Sequence, residues 1–183
     1  MIPTEEQVMI RDMARAFAAE QIAPFAGEWE DKAYFPAEVF KAMGKLGLMG
    51  MTVPEEWGGA GLDYVTYAMA LEEIAAGDGA IAIVMSGHNS VGCMPILEYG
   101  TSAQKEQYLR RLTMGEILCA FALTEAKGGS DASALTTRAV RDDDGYVING
   151  SKQFITTGKN ADLTLVFAVT DPDAGKRGIS AFI

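Results

Sequence analysis

Side chains able to carry out chemistry are sparse in this chain, and their spacing removes several reactions at once. The single histidine, His88, lies in an apolar segment with no second His or Cys at ligand spacing, which points to a hydrogen-bonded core residue and away from a metal ligand. Cys93 and Cys119 have apolar neighbours and no CxxC spacing, so they read as buried thiols. The run Arg141-Asp142-Asp143-Asp144 lacks the alternating ligands and closing Glu of a calcium loop and is assigned to a solvated hairpin approach. Gly59 and Gly61 are not followed by the third glycine of GxGxxG, so the dinucleotide fingerprint is missing. Two stretches with hydroxyl side chains remain: Phe121 to Ser130, and Phe154, Ile155 and Thr156. Taken singly, Thr124 and Thr156 are threonines in strand-like runs, where β-branching alone accounts for them. Gly128, Gly129 and Ser130 set two residues without a Cβ ahead of a hydroxyl.

The elements that must position these residues change character along the chain. Thr4 with Gln7 has the capping-box spacing, and Met9, Met13 and Phe17 then recur every four residues as an apolar face. Pro36 suits the first turn of a second helix with Val39, Phe40, Met43 and Leu46 inward and Gly47 at its end. Asp63 caps a third helix carrying Tyr67, Ala70, Leu71 and Ile74; Ala80 to Leu97 is a fourth; Thr101 with Gln104 opens a fifth with Tyr108, Leu109 and Leu112 inward. Between the second and third, Val53 to Asp63 holds one proline and three glycines and reads as a loop. Trp29 and Trp57 read as packing anchors. After Gly115 the period shortens. Leu118 to Leu123 is a compact apolar run, Thr136 to Val140 alternates, and Asp144-Gly145 and Asn149-Gly150 are hairpin signals, each with a strand expected after it, Tyr146 to Ile148 and Lys152 to Thr156. Leu163 to Val169 and Ile179 to Ile183 complete the strands. The expected fold is therefore α+β: an all-α domain over 1–114, then an antiparallel, barrel-like β-domain over 115–183.

Composition narrows the partners. A net charge of -10 with a pI near 4.5 excludes nucleic acid, because phosphate backbones need a Lys/Arg surface. Small anions remain open, since a few backbone N–H groups hold them whatever the net charge. The N-terminus has acids where a signal peptide has bases, so no targeting segment is read; two unpaired cysteines suit a cytoplasmic or other reducing intracellular home. Ala80 to Leu97, interrupted by Ser86, His88, Asn89, Ser90 and Pro95, reads as a core helix and not as a membrane span of ~20 apolar residues.

Read jointly, the two stretches resemble a known family. Phe121 to Ala134, a strand ending in Thr-Glu, a Gly-containing turn and then Ser-Asp, is similar to the first signature of the acyl-CoA dehydrogenases, and Ile148 to Gly158 is similar in order and spacing to their second flavin-contacting stretch. Val53 to Gly59 and Gly87 to Glu116 also look like family sequence, so the resemblance covers essentially the whole chain. It implies FAD as cofactor and dehydrogenation of an acyl-CoA between the α and β carbons, in fatty acid or amino acid catabolism. The implied flavin contacts are Phe121, Ala122, Leu123, Thr124, Gly129, Ser130, Phe154, Ile155 and Thr156, with Thr124 toward the pyrimidine end, Thr156 near N5, and Ser130 also touching substrate. Position 154 is often tryptophan in the family; phenylalanine keeps the aromatic face and lacks the indole N–H. Glu125 and Asp131 are given turn-holding roles.

The resemblance further implies an electron-transferring flavoprotein as acceptor, a tetramer as the full-length assembly, no metal, and a catalytic glutamate on a C-terminal helical bundle. No counterpart of that bundle is present in the 183 residues, so the chain is expected to be a fragment, truncated inside a β-domain and inactive alone. An acyl-CoA oxidase or another flavoenzyme of the same fold, and a non-catalytic flavin- or CoA-binding scaffold, stand as alternatives.

Overall fold

Short polar side chains set the helix starts. In the computed structural model, which describes residues 2–183, Thr4 and Gln7 exchange side-chain and backbone hydrogen bonds at 3.0 and 3.2 Å ahead of α1 (Glu5–Gln21). Thr101 and Gln104 repeat the arrangement ahead of α7 (Ser102–Thr113). Asp63 accepts from Thr66 N–H at 2.8 Å to cap α4 (Tyr64–Gly77), and Asp78 accepts from Ile81 N–H at 2.9 Å to cap α5 (Gly79–Gly87). Each cap satisfies a donor that the first helical turn leaves without a partner. A short α2 (Ala26–Asp31) precedes α3 (Ala37–Lys45); it has no capping side chain and buries nothing fully, which is why no sequence signal announces it.

The helices bury one continuous core: Ala14, Ala18 and Ile22 from α1, Phe40 and Met43 from α3, Leu48, Met49 and Met51 after it, Ala70 and Ile74 from α4, and Ile81 and Met85 from α5. The inward face of α1 differs from expectation. Met13 and Phe17 pack against the core as expected, but Met9 is 65% exposed, and the fully buried positions of α1 are the small residues Ala14 and Ala18. A Cβ on Gly77 would approach that of Ala18 to 3.1 Å, so the two backbones run too close for larger side chains at the contact. Outside it, Arg15 grips Glu73 with two bonds of 2.6 and 2.9 Å.

The expected fourth helix is present with an interruption. Between α5 and α6 (Met94–Tyr99) the turn His88–Cys93 widens to the π form. Asn89 occupies the widened turn and satisfies three backbone groups: Met51 N–H donates to its Oδ1 at 2.8 Å, while its Nδ2 donates to Leu48 O at 2.9 Å and Met85 O at 3.0 Å. His88 is buried with Nε2 at 2.9 Å from Leu112 O. By length and composition Gly79–Tyr99 could cross a membrane, but half of its most apolar window is buried inside the fold. The Val53 to Asp63 loop holds one short 3-10 turn, Glu55–Trp57, where no regular structure is expected; Gly59 fits because a Cβ there would strike Val53 O.

The helical unit ends at Leu118, and a second unit runs from Cys119 to Ile183. Its strands are β1 (Cys119–Ala122), β2 (Arg138–Asp142), β3 (Gly145–Asn149), β4 (Leu163–Val169) and β5 (Ile179–Phe182). The sheet is mixed and not wholly antiparallel. β2–β3 and β4–β5 pair antiparallel, whereas β4 runs parallel to β1 and, through Arg138 and Val169, to β2. Parallel pairing needs a long crossover, and residues 123–162 supply it between β1 and β4. The hairpin turn falls on Asp143-Asp144, one residue before the expected Asp144-Gly145, since Asp142 pairs with Gly145. Asn149-Gly150 turns no hairpin, and Lys152 to Thr156 is not a strand. Phe154 and Thr157 take φ of +58° and +60°, which no strand accommodates, and a Cβ on Gly150 would collide with Thr137.

Replacing Asn89 by Leu will leave those buried backbone groups without partners, at a cost of about 3 kcal/mol or more; a lower thermal midpoint tests this, and an unchanged midpoint removes Asn89 from the framework. Burial pulls the His88 imidazole from its ordinary 6.5 to about 4, against the opposing bond to Leu112 O. The unfolded chain therefore binds this proton first on acidification, and stability falls as pH drops from 6.5 toward 4, at up to ~1.4 kcal/mol per pH unit. Denaturant titrations of the wild type and His88→Gln across that window will show a shallower slope in the variant. Equal slopes would assign the acid response elsewhere.

Candidate functional site

β1 carries the first stretch to the edge of the sheet and leaves it there. The ladder with β4 ends at the pair Ala122 and Val166, so the carbonyls of Leu123 and Thr124 have passed beyond strand pairing. Phe121, half-buried, packs on Phe167 with centroids 4.9 Å apart. Past Thr124 the chain turns sharply: Glu125 and Gly128 exchange backbone bonds of 2.8 and 3.2 Å. Gly129 approaches the strand end so closely that a Cβ there would meet Thr124 Cγ2 at 3.3 Å. Ser130 is exposed at the tip. Asp131 then holds the next turn by accepting from Ser133 N–H and Oγ, which lowers its carboxyl below the ordinary value.

Glu125 is the anchor of this region. Its carboxylate is 3% exposed and accepts from Thr136 N–H and Oγ1 at 2.6 Å each, Thr137 N–H at 3.0 Å and Lys152 Nζ at 2.8 Å. Burial by itself pushes a carboxyl up, but hydrogen bonds from Lys152, Thr136 and Thr137 outweigh it and hold this one well below the usual carboxylate range. Glu125 stays ionised and is a weak base.

The second stretch reaches the same place without being a strand. Lys152 Nζ also donates to Leu123 O at 3.0 Å, Gln153 N–H donates to Thr124 O at 3.0 Å, and Thr157 Oγ1 lies 3.3 Å from Cys119 O. These bonds lay residues 152–157 along the end of β1, bringing Phe154, Ile155 and Thr156 to the stretch that starts at Phe121. A cleft of about 400 Å³ opens beside the ion pair, lined by Glu125, Lys127, Thr136, Ser151, Lys152 and Gln153. At Phe154 the backbone is left-handed and the ring is 88% exposed. Among the described residues, no protein partner engages the hydroxyl of Thr124 or of Thr156.

Lys152, Gln153 and Thr157 are the members that sequence reasoning passes over. The signal was present, in that a buried glutamate after a strand requires a cation, but spacing alone does not name which of seven Lys or Arg residues after Leu118 supplies it. Burial pushes the Cys119 thiol up to about 11, so it is no nucleophile. Among the described residues no three His, Cys, Asp or Glu side chains gather as a metal site.

Known proteins are similar to this chain in sequence and fold. Residues 4–116 match the acyl-CoA dehydrogenase N-terminal domain and residues 120–183 the acyl-CoA dehydrogenase middle domain. An acyl-CoA dehydrogenase of Bacillus subtilis (strain 168) is 50% identical over 180 residues, 98% of this chain and 48% of its own. The three-dimensional structure of butyryl-CoA dehydrogenase from Megasphaera elsdenii aligns with a TM-score of 0.94 at 40% identity, over 100% of this chain and 49% of its own. An acyl-CoA dehydrogenase from Bacillus anthracis, complexed with FAD, aligns with a TM-score of 0.90 at 38% identity, over 98% of this chain and 30% of its own. The chain spans about half the length of the curated relatives it matches. With its helical unit and its sheet unit each matched to the corresponding domain, this chain belongs to the acyl-CoA dehydrogenase family.

Proposed function

We propose that this chain supplies the flavin-contacting part of an enzyme that dehydrogenates an acyl-CoA thioester, with FAD as its cofactor. The observation that carries the reading is the convergence of the two stretches. Residues 152–157 are bonded to the end of β1, so that an outward-facing aromatic ring, two unengaged threonine hydroxyls and a glycine turn occupy one region. These features fit FAD. A flat ring system matches the exposed Phe154 face, threonine hydroxyls and backbone N–H groups match its polar edge, and Gly129 leaves room where a Cβ would already touch Thr124.

When bound, FAD supplies the acceptor for the hydride that leaves the β carbon. The protein's part is binding and orientation. Thr124 would offer its hydroxyl to the pyrimidine end, with Phe121, Ala122 and Leu123 beside it; Phe154 and Ile155 would flank the ring, and Thr156 would stand near N5, where electron density gathers on reduction. Gly129 and Ser130 take the phosphate-bearing side of FAD or acyl-CoA, with Ser130 also in reach of substrate. The base for the α-proton is assigned outside residues 1–183. Glu125, the nearest carboxylate, is held ionised by four hydrogen bonds and is too weak a base for a carbon acid. An electron-transferring flavoprotein as onward acceptor and a tetrameric assembly complete the proposal.

The full-length protein will purify yellow and lose flavin absorbance when titrated anaerobically with acyl-CoA. Thr156→Ala removes one hydrogen bond at the reacting end, worth on the order of 1 kcal/mol, and will slow that reduction roughly fivefold in stopped-flow absorbance. Reduction at the wild-type rate would take Thr156 out of the site, and a colourless protein that binds no FAD would end the reading altogether.

A further inference from the structure

We propose that Lys152 is a positioning residue for the flavin-binding reading above: its ammonium clamps residues 153–156 onto the end of β1 and sets the charge balance that the bound flavin meets. β1 leaves its ladder at Ala122, which exposes the carbonyls of Leu123 and Thr124 to loss of their partners. One dipeptide satisfies both: Lys152 Nζ takes Leu123 O at 3.0 Å, and Gln153 N–H takes Thr124 O at 3.0 Å. The side chain of Lys152 is 11% exposed and its second bond, 2.8 Å to Glu125, fixes where the ammonium rests. Glu125 is tied in turn to Thr136 and Thr137, which lead into β2. The ammonium therefore joins its own segment to the end of β1 and, through Glu125, to the start of β2, and the spacing between Thr124 and Thr156 depends on it.

The local backbone shows that something must enforce this placement. Two residues later Phe154 sits at φ +58°, and Thr157 at +60°, conformations that side chains with a Cβ adopt only when their surroundings impose them. The restraints that reach them from β1 are the bonds of Lys152 and Gln153; the Thr157 hydroxyl, whose shorter bond is 2.6 Å to Thr156 O, adds only a 3.3 Å contact to Cys119 O. A structural lysine and a positioning lysine predict different results. If Lys152 only stabilises the unit, its loss lowers the thermal midpoint and leaves the flavin of the folded fraction unchanged. If it positions the flavin stretch, affinity, spectrum and potential all move.

Three variants of the full-length holoprotein separate these outcomes: Lys152→Met, Glu125→Gln, and the two combined, which removes both charges without stranding either. FAD affinity is read by titrating the apoprotein, geometry by the visible circular dichroism of bound flavin, and electrostatics by the midpoint potential. Lys152→Met and the double variant will each weaken FAD roughly tenfold or more, as loss of a charge-assisted bond implies, and change the dichroism. The single variants will move the potential oppositely: down in Lys152→Met, where an unpaired carboxylate opposes electron uptake, and up in Glu125→Gln, where an unpaired ammonium favours it. Folded Lys152→Met or double variant with wild-type affinity and dichroism would overturn the proposal. If neither folds, Glu125→Gln decides, because an unmoved potential there overturns it equally. Wild-type protein that fails to bind FAD would refute the flavin reading itself, which keeps the two failures apart.

Discussion

A carboxylate and an ammonium, 2.8 Å apart, with little exposed surface but beside an open cleft, hold the β-unit's loops in place. Taking two such charges out of solvent costs several kcal/mol each, so the pair persists only where further hydrogen bonds occupy what the charges leave over. Those bonds are present. Three come to Glu125 from Thr136 and Thr137, and one leaves Lys152 for Leu123 O. The energetic consequence is asymmetric: deleting one partner strands the other, at a cost of about 3–5 kcal/mol, whereas an apolar pair of similar shape is far less costly. An arrangement of this kind specifies a geometry more than it adds stability.

That geometry explains why residues 150–158 follow no regular pattern. A strand there would have paired its N–H groups with a neighbour and pointed alternate side chains to opposite faces. Instead the segment is tied to the end of β1 by Lys152 and Gln153, with the Thr157 hydroxyl shared between Thr156 O at 2.6 Å and Cys119 O at 3.3 Å, and it carries two left-handed residues, Phe154 and Thr157, at a cost on the order of 1–3 kcal/mol each. The strain releases Phe154 from the core and places it on the surface.

The parts of the fold legible in the sequence were those with local causes. Thr4 with Gln7, Thr101 with Gln104, Asp63 and Asp78 each act within one helical turn, so spacing alone locates the helix starts. The β1, β4 and β5 runs are short apolar segments bounded by turn residues and are equally local. What escaped the sequence depends on distant partners. The fully buried positions of α1 are Ala14 and Ala18, while Met9 lies exposed; α2 has no cap to announce it; and the parallel pairing of β1 with β4 is decided by a crossover of forty residues, 123–162. The misplaced strand at Lys152 to Thr156 is the same error at the site. β-branched and aromatic residues favoured extension, and a bond made 27 residues away in sequence overrode them. The threonines and glycines were readable by type, and the lysine that brings them together was not.

Overall acidity likewise misleads unless it is located. The surplus sits in the helical unit, where seventeen Asp and Glu face eight Lys and Arg up to Leu118; from Cys119 onward eight acids meet seven bases. At physiological ionic strength the field of exposed charges fades over about 8 Å, so the potential at Ser130 is set by neighbours within that range and not by the chain's net charge of -10. Those neighbours are few and specific. Asp131 is bound to Ser133 and offset by Lys176, while Glu125 is neutralised by Lys152. Both carboxylates that hold this turn are thus compensated locally, whatever the pI near 4.5 suggests for the chain as a whole.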